Sequence, residues 1–217
     1  MDDQSMNTPS SKGCKTKDKI LKVSLKLFST KGYKATTVRD IAGVMGIKQS
    51  ALYNHFKNKD AILETLISNL TSSAIVTLFE NKDTSEPKNQ GKALLSSIGT
   101  TFKLLSFDGR NEALYRLLMQ EMFRNDRIRE IYNEYFYQEN VKKLSGIFFG
   151  MMQSDQIHSS DPLMLANEFL SPLFFYQMQV TLLKLDKKST SSVVSLFEKH
   201  VDYFWDNIKK EKQDSLF

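Results

Sequence analysis

The segment from Thr36 to Lys59 constrains the fold more than any other part of the chain. Thr37 is a suitable N-cap, because its hydroxyl can accept hydrogen bonds from free backbone N–H groups at the start of a helix. The apolar residues that follow at helical spacing are Ile41, Ala42 and Met45. Gly46 is placed to end this helix, since glycine tolerates the left-handed conformation common at helix ends.

A second short helix is predicted from Gln49 to Phe56, with Ala51, Leu52 and Phe56 facing inward. The side chains left facing outward are Lys48, Gln49, Ser50, Tyr53 and His55. Two short helices joined by a tight glycine turn form a helix-turn-helix, whose second helix can enter the major groove of DNA.

The motifs of this region resemble those of the TetR family of bacterial transcriptional regulators. The family pattern T-x-x-x-I-A is present from Thr37 to Ala42, and a Gly-hydrophobic turn follows at Gly46 and Ile47. The sequence L-Y-x-H-F then runs over residues 52–56 and K-x-K over residues 57–59. The resemblance covers roughly residues 16–63. It implies an all-α, nine-helix fold.

The resemblance also implies which residues contact DNA. They are Thr37, Arg39, Lys48, Gln49, Ser50, Tyr53, His55 and Lys59. Arg39 offers a planar fork suited to guanine or phosphate, and the Gln49 amide can read an adenine edge. Tyr53, His55 and Lys59 match positions that usually contact phosphates in the family. The alternative for His55 is a capping or packing role.

Charge is distributed unevenly along the chain. Residues 11–59 hold twelve Lys or Arg against Asp18 and Asp40, a balance of +10, whereas the remainder holds eighteen basic and twenty-three acidic residues, a balance of −5. Neutralising DNA phosphates with such a basic surface releases counterions and favours binding. A lysine-rich solvated surface is the alternative, but its coincidence with the helix-turn-helix favours DNA.

Helical patterning beyond the motif divides the chain into three parts. We predict a disordered basic and polar tail over residues 1–15, a helix-turn-helix domain over residues 16–59, and a helical body over residues 60–217. The resemblance implies that this body binds a ligand and dimerises. The first helix is predicted over residues 17–30, and a polar loop over residues 81–89. Asp161 and Pro162 predict the start of a later helix, which Pro172 should kink.

The last two predicted helices are apolar on more than one face, which requires burial on several sides. In the TetR family these helices pair with their copies in a dimer. The predicted dimer interface comprises Pro172, Phe197, Val201, Phe204 and Trp205. The alternative is a monomer whose core covers both faces.

The resemblance further implies an inducer cavity in the body, which would take a small apolar or aromatic effector. The predicted lining residues are Leu66, Phe102, Met119, Met122, Tyr135, Phe136, Phe148, Phe169 and Met178. Methionine and aromatic side chains suit adaptable apolar sites, although such stripes are more often plain core.

Nothing in the sequence favours catalysis. The three histidines lie far apart, and there is neither a glycine-rich phosphate loop nor a pair of Cys or His residues with metal-ligand spacing. We therefore expect no enzyme activity, no cofactor and no metal. The single cysteine, Cys14, excludes a disulfide within the chain. No apolar run is long enough for a membrane span and the N-terminus does not resemble a signal peptide, so we expect a cytoplasmic protein.

Two function classes remain open at this point. The first is a ligand-responsive regulator, with repression favoured, that binds a pseudopalindromic operator as a homodimer and releases it when an effector binds. The second is a DNA-binding regulator whose body is controlled by a protein partner instead of a small molecule.

Overall fold

The computed structural model describes residues 11–71 and 91–210, and these residues are mainly helical. The α-helices are α1 (Ser11–Lys31), α2 (Val38–Met45), α3 (Gln49–Tyr53), α4 (Lys59–Thr71), α5 (Gly91–Phe107), α6 (Gly109–Glu121), α7 (Asp126–Ile131), α8 (Glu139–Gln153), α9 (Pro162–Leu185), α10 (Ser191–Val194) and α11 (Leu196–Ile208). A π-helix, Tyr132–Gln138, joins α7 to α8. Within the described ranges the strand-like pairing is one isolated bridge between Ile157 and Lys209, and the predicted all-α class is confirmed.

The described residues divide into two units. The N-terminal unit comprises residues 11–69 and 113–128, and the body unit comprises residues 70–71, 91–112 and 129–210. The N-terminal unit therefore includes part of α6, which is distant in sequence from the helix-turn-helix.

The core of the N-terminal unit begins with α1. Its buried apolar side chains are Ile20, Leu21, Leu25 and Phe28. The Phe28 ring meets the Tyr33 ring edge-on, with 5.1 Å between centroids. Helix α1 starts at Ser11, so residues 11–15 are helical where the sequence predicts a disordered tail. Polar composition was misleading here, because an amphipathic helix can extend beyond its buried face.

The core of the body unit is aromatic. The Phe169 ring lies 5.1 Å from the Phe204 ring and 6.5 Å from the Phe148 ring, measured between centroids. Helices α5 and α11 approach closely at Gly99, where an added Cβ would lie 2.7 Å from Val201 Cγ2. Glycine at this position therefore allows the two helices to pack.

Several predicted helix ends agree with the structure and others do not. Asp161 Oδ1 accepts hydrogen bonds from the backbone N–H groups of Leu163 and Met164 at 2.8 and 3.1 Å, which confirms the cap of α9. Helix α9 continues through Pro172 to Leu185. Helix α3 ends at Tyr53, before the predicted end at Phe56. Asp108 Oδ1 caps α6 by accepting a hydrogen bond from the Asn111 N–H at 2.8 Å. The predicted loop over residues 81–89 lies outside the described residues.

Most of the predicted dimer interface is wrong. Phe197, Val201 and Phe204 are buried inside the body unit, with 0, 3 and 7% of their surfaces exposed. Side chains already covered by their own chain have no surface to offer a second copy. The apolar face of α11 packs into the core of its own chain. Pro172 and Trp205 are half-buried and remain predictions.

Candidate DNA-binding interface

Helix α2 begins with a reciprocal capping box. Thr37 is extended, with φ −103° and ψ 159°, and its Oγ1 accepts a hydrogen bond from the Asp40 N–H at 3.1 Å. In return Asp40 Oδ2 accepts from the Thr37 N–H at 2.8 Å. These bonds with Thr37 lower the pKa of the Asp40 carboxyl, because they stabilise its charged form. The sequence-predicted cap is confirmed, and it fixes where α2 starts.

The turn between α2 and α3 depends on Gly46. Its φ of 68° and ψ of 30° lie in the left-handed region, which favours glycine. The Gly46 N–H donates to the Gly43 carbonyl at 3.2 Å, and the Ile47 N–H donates to the Ala42 carbonyl at 3.1 Å. These bonds satisfy carbonyls at the end of α2 and set the direction in which α3 leaves.

Helix α3 separates an inward side from an outward side. Leu52 is fully buried, and Phe56, just after the helix, is 4% exposed. Lys48, Gln49, Ser50 and Tyr53 are exposed. Gln49 Nε2 donates to Tyr53 Oη at 3.3 Å, so the two predicted contact residues are adjacent on the same side of α3. We call these four exposed residues the reading face.

Two other predicted DNA contacts flank the reading face in the chain. Arg39 is exposed in the first turn of α2. His55 is half-buried, so its position suits either a phosphate contact or the packing role.

Lys59, also predicted to contact DNA, is engaged within the N-terminal unit. Its ammonium donates to the backbone carbonyls of Tyr33 and Thr36, both at 2.8 Å. The ammonium also lies over the Tyr33 ring, 4.2 Å from the centroid. Nothing in the linear sequence indicated this arrangement, because the carbonyls lie 26 and 23 residues earlier.

The predicted effector residues fall in both units. Leu66, Met119 and Met122 belong to the N-terminal unit, while Phe102, Phe148, Phe169 and Met178 belong to the body unit. Phe102, Phe148 and Phe169 lie in the buried core of the body unit. The side chains of Tyr135 and Phe136 lie outside the described residues. The role of all nine residues in effector binding stays a prediction.

Helix α9 exposes apolar side chains that sequence analysis did not assign to an interface. Met164, Phe175, Leu182 and Leu185 are each about half exposed and recur at spacings that place them on one side of the helix. The sequence of α9 is apolar on all sides, which is consistent with such an exposed apolar face. This pattern does not indicate which side of the helix packs against the rest of the chain and which side stays exposed.

Among the described residues, no group of three or more His, Cys, Asp or Glu side chains could hold a metal ion. None of the described helices is long and apolar enough to cross a membrane.

Residues 20–66 match the family model described as bacterial regulatory proteins, tetR family. An uncharacterized HTH-type transcriptional regulator of Bacillus subtilis, YerO, is 29% identical over 127 residues, which cover 58% of this chain and 42% of the relative. The biofilm operon negative transcriptional regulator IcaR of Staphylococcus epidermidis is 40% identical over 67 residues, 31% of this chain and 36% of the relative. In both comparisons the match spans less than half the length of the curated relative.

Solved structures resemble the chain over more of its length. A TetR-family regulator from Mesorhizobium loti superimposes with a TM-score of 0.70 at 17% identity, covering 93% of this chain and all of that one. The SmeT–triclosan complex gives a TM-score of 0.69 at 18% identity and covers 94% of each chain. At these identities the likeness concerns the fold alone.

Proposed function

Because the chain belongs to the TetR family of bacterial regulatory proteins, we propose that it is a transcriptional repressor in the cytoplasm that binds a pseudopalindromic operator as a homodimer. The observation that carries this proposal is the reading face. Four polar side chains stand exposed on α3 and at its N-cap, Lys48, and α3 follows α2 across the glycine turn at Gly46. The second helix of a helix-turn-helix can enter the major groove, where side-chain donors and acceptors read base edges.

The residues of the reading face differ in the DNA groups that they can contact. Gln49 carries the amide that can pair with adenine through two hydrogen bonds, whereas Lys48 supplies a point charge that suits phosphate or guanine. Arg39 approaches from α2 and can contact a phosphate or a guanine. Sequence preference would therefore depend mainly on Gln49, with affinity supported by the basic residues around it.

The surface that supports a homodimer is the exposed apolar side of α9. A surface of this kind is unfavourable in water and favours association with a second copy of the chain. A dimer places two reading helices at related half-sites, which explains why a pseudopalindromic operator is expected.

Regulation by a small apolar or aromatic effector is the remaining part of the proposal. It is supported by the methionine and aromatic content of the body, and by a solved structure of similar fold that is a complex with triclosan. The effector can release DNA only to the extent that it binds the DNA-free state more tightly, and DNA must weaken effector binding by the same factor.

The proposal is tested by selecting duplexes from a randomised pool with the purified full-length chain. Enrichment of an inverted repeat with half-site centres about one helical turn apart, or a multiple of it, is the expected result. Failure to enrich any sequence would contradict specific operator binding. Effector control is tested by titrating apolar and aromatic compounds with and without the selected duplex. A tightly bound ligand whose affinity is the same with and without the duplex would favour control by a protein partner.

A further inference from the structure

Lys59 lies at the start of α4, and its ammonium has an unusual environment for a residue expected to contact DNA. Two of its three N–H donors are directed to the carbonyls of Tyr33 and Thr36, each at 2.8 Å. Its charge lies over the face of the Tyr33 ring at 4.2 Å, where the ring quadrupole attracts a cation. Lys59 is half-buried.

The carbonyls that Lys59 contacts belong to the loop between α1 and α2. Thr36 is fully buried, and its Oγ1 donates to the Gly32 carbonyl at 2.9 Å. Tyr33 is 7% exposed, and its hydroxyl donates to Asp60 Oδ1. Residues 59 and 60 of α4 are thus each bonded to the same loop. This loop leads directly into Thr37, the N-cap of α2.

We propose that Lys59 positions the helix-turn-helix by holding the α1–α2 loop against the first turn of α4, and that it does not contact a DNA phosphate. The proposal rests on the DNA-binding function proposed above. Lys59 fixes the loop, the loop fixes the capping box at Thr37, and the capping box fixes Arg39 and the direction of α2. Loss of the ammonium loosens the loop and weakens binding to every DNA sequence alike.

A salt series separates positioning from phosphate contact. The probe is a labelled mixed-sequence duplex of about 30 base pairs, roughly three helical turns, so no knowledge of the operator is needed. Each phosphate neutralised by a lysine contributes about 0.9 to the slope of log affinity against log salt concentration. A lysine that only positions the helix-turn-helix leaves this slope unchanged.

The full-length chain is compared as wild type, Lys59→Met and the control Lys48→Met. Lys48 is exposed on the reading face, so its loss is expected to reduce the slope by about 0.9. Lys59→Met is expected to lower affinity by about tenfold at every salt concentration with the slope of the wild type. A slope reduced by about 0.9 in Lys59→Met would overturn the proposal.

Amide hydrogen exchange gives a second readout that does not depend on DNA. Lys59→Met is expected to speed exchange at Thr36, Thr37 and Asp40, whose N–H groups bond within the loop and the capping box. Amides of α8 in the body unit serve as the internal control. Unchanged exchange at all three amides would also overturn the proposal.

The two proposals fail in different ways. Wild-type protein with no salt-dependent DNA binding would refute the proposed function, and the exchange measurement would still decide whether Lys59 holds the loop. Lys59→Gln is the second variant where Lys59→Met does not fold, because its amide keeps two N–H donors without a charge. For Lys59→Gln, as for Lys59→Met, an unchanged salt slope with faster exchange would support the positioning role, and a slope reduced by about 0.9 or unchanged exchange would overturn it.

Discussion

The two glycines of the helix-turn-helix allow the same substitution, glycine to alanine, to be tested at two positions. We expect it to lower the free energy of unfolding at one position and to raise it at the other. Gly46 lies in the left-handed region with φ 68°, and an added Cβ there would meet nothing within 4 Å. Gly46→Ala therefore introduces backbone strain without a clash, which costs about 1–2 kcal/mol. Gly43 lies inside α2 with equally open space around it. Gly43→Ala should stabilise by about 0.5–1 kcal/mol, because alanine loses less backbone entropy in a helix.

The two variants should differ by about 2 kcal/mol in the local stability of the N-terminal unit. Native-state hydrogen exchange at Ile41 and Leu52 measures this directly, since it reports opening of the unit that contains them. Gly46→Asn is a milder third variant, because asparagine tolerates the left-handed conformation better than alanine. The reasoning would be refuted if Gly46→Ala were as stable as wild type, or if Gly43→Ala were the more damaging change.

Three other predictions concern the body unit. Gly99→Ala places a Cβ 2.7 Å from Val201 Cγ2 and should lower the free energy of unfolding by about 1–3 kcal/mol, as measured by thermal unfolding. The Gly99→Ala, Val201→Ala double variant should recover part of this loss. A Gly99→Ala variant as stable as the wild type would contradict the close packing. Phe175→Glu, on the exposed side of α9, should shift sedimentation toward monomer, whereas Phe149→Glu, equally exposed on α8, should not; a dimeric Phe175→Glu variant would place the interface elsewhere. Burial lowers the pKa of His200 below its ordinary value near 6.5, so the folded chain binds fewer protons there than the unfolded chain. Stability should therefore fall as pH decreases from about 6.5 through the lower folded pKa, and His200→Gln should flatten this part of the profile; identical profiles for the two proteins would contradict the assignment.

The helix-turn-helix was predictable because its determinants are local. The capping box needs only Thr37 and Asp40 three residues apart, and the turn needs a glycine at position 46. The outward side of α3 follows from which residues are apolar, so the reading face could be deduced before the fold was known.

Features that depend on distant contacts could not be deduced in this way. The bonds of Lys59 join residues more than twenty positions apart, and no periodicity marks them. The predicted dimer residues failed for a related reason. Phe197, Val201 and Phe204 are apolar at helical spacing, but the same pattern describes a helix packed against its own core or against a partner.

The central claim is that the reading face recognises base sequence, and its most direct test uses two matched glutamines. Gln49 is exposed on α3, and Gln153 is exposed at the end of α8 in the body unit. The affinity of each Gln→Ala variant is measured for the selected duplex and for a scrambled duplex of equal length. We predict that Gln49→Ala loses about 1–3 kcal/mol on the selected duplex, with little change on the scrambled one, because a bidentate base contact carries sequence preference. Gln153→Ala should match wild type on both. Equal affinities of Gln49→Ala and wild type for the selected duplex would contradict the claim that this face reads DNA.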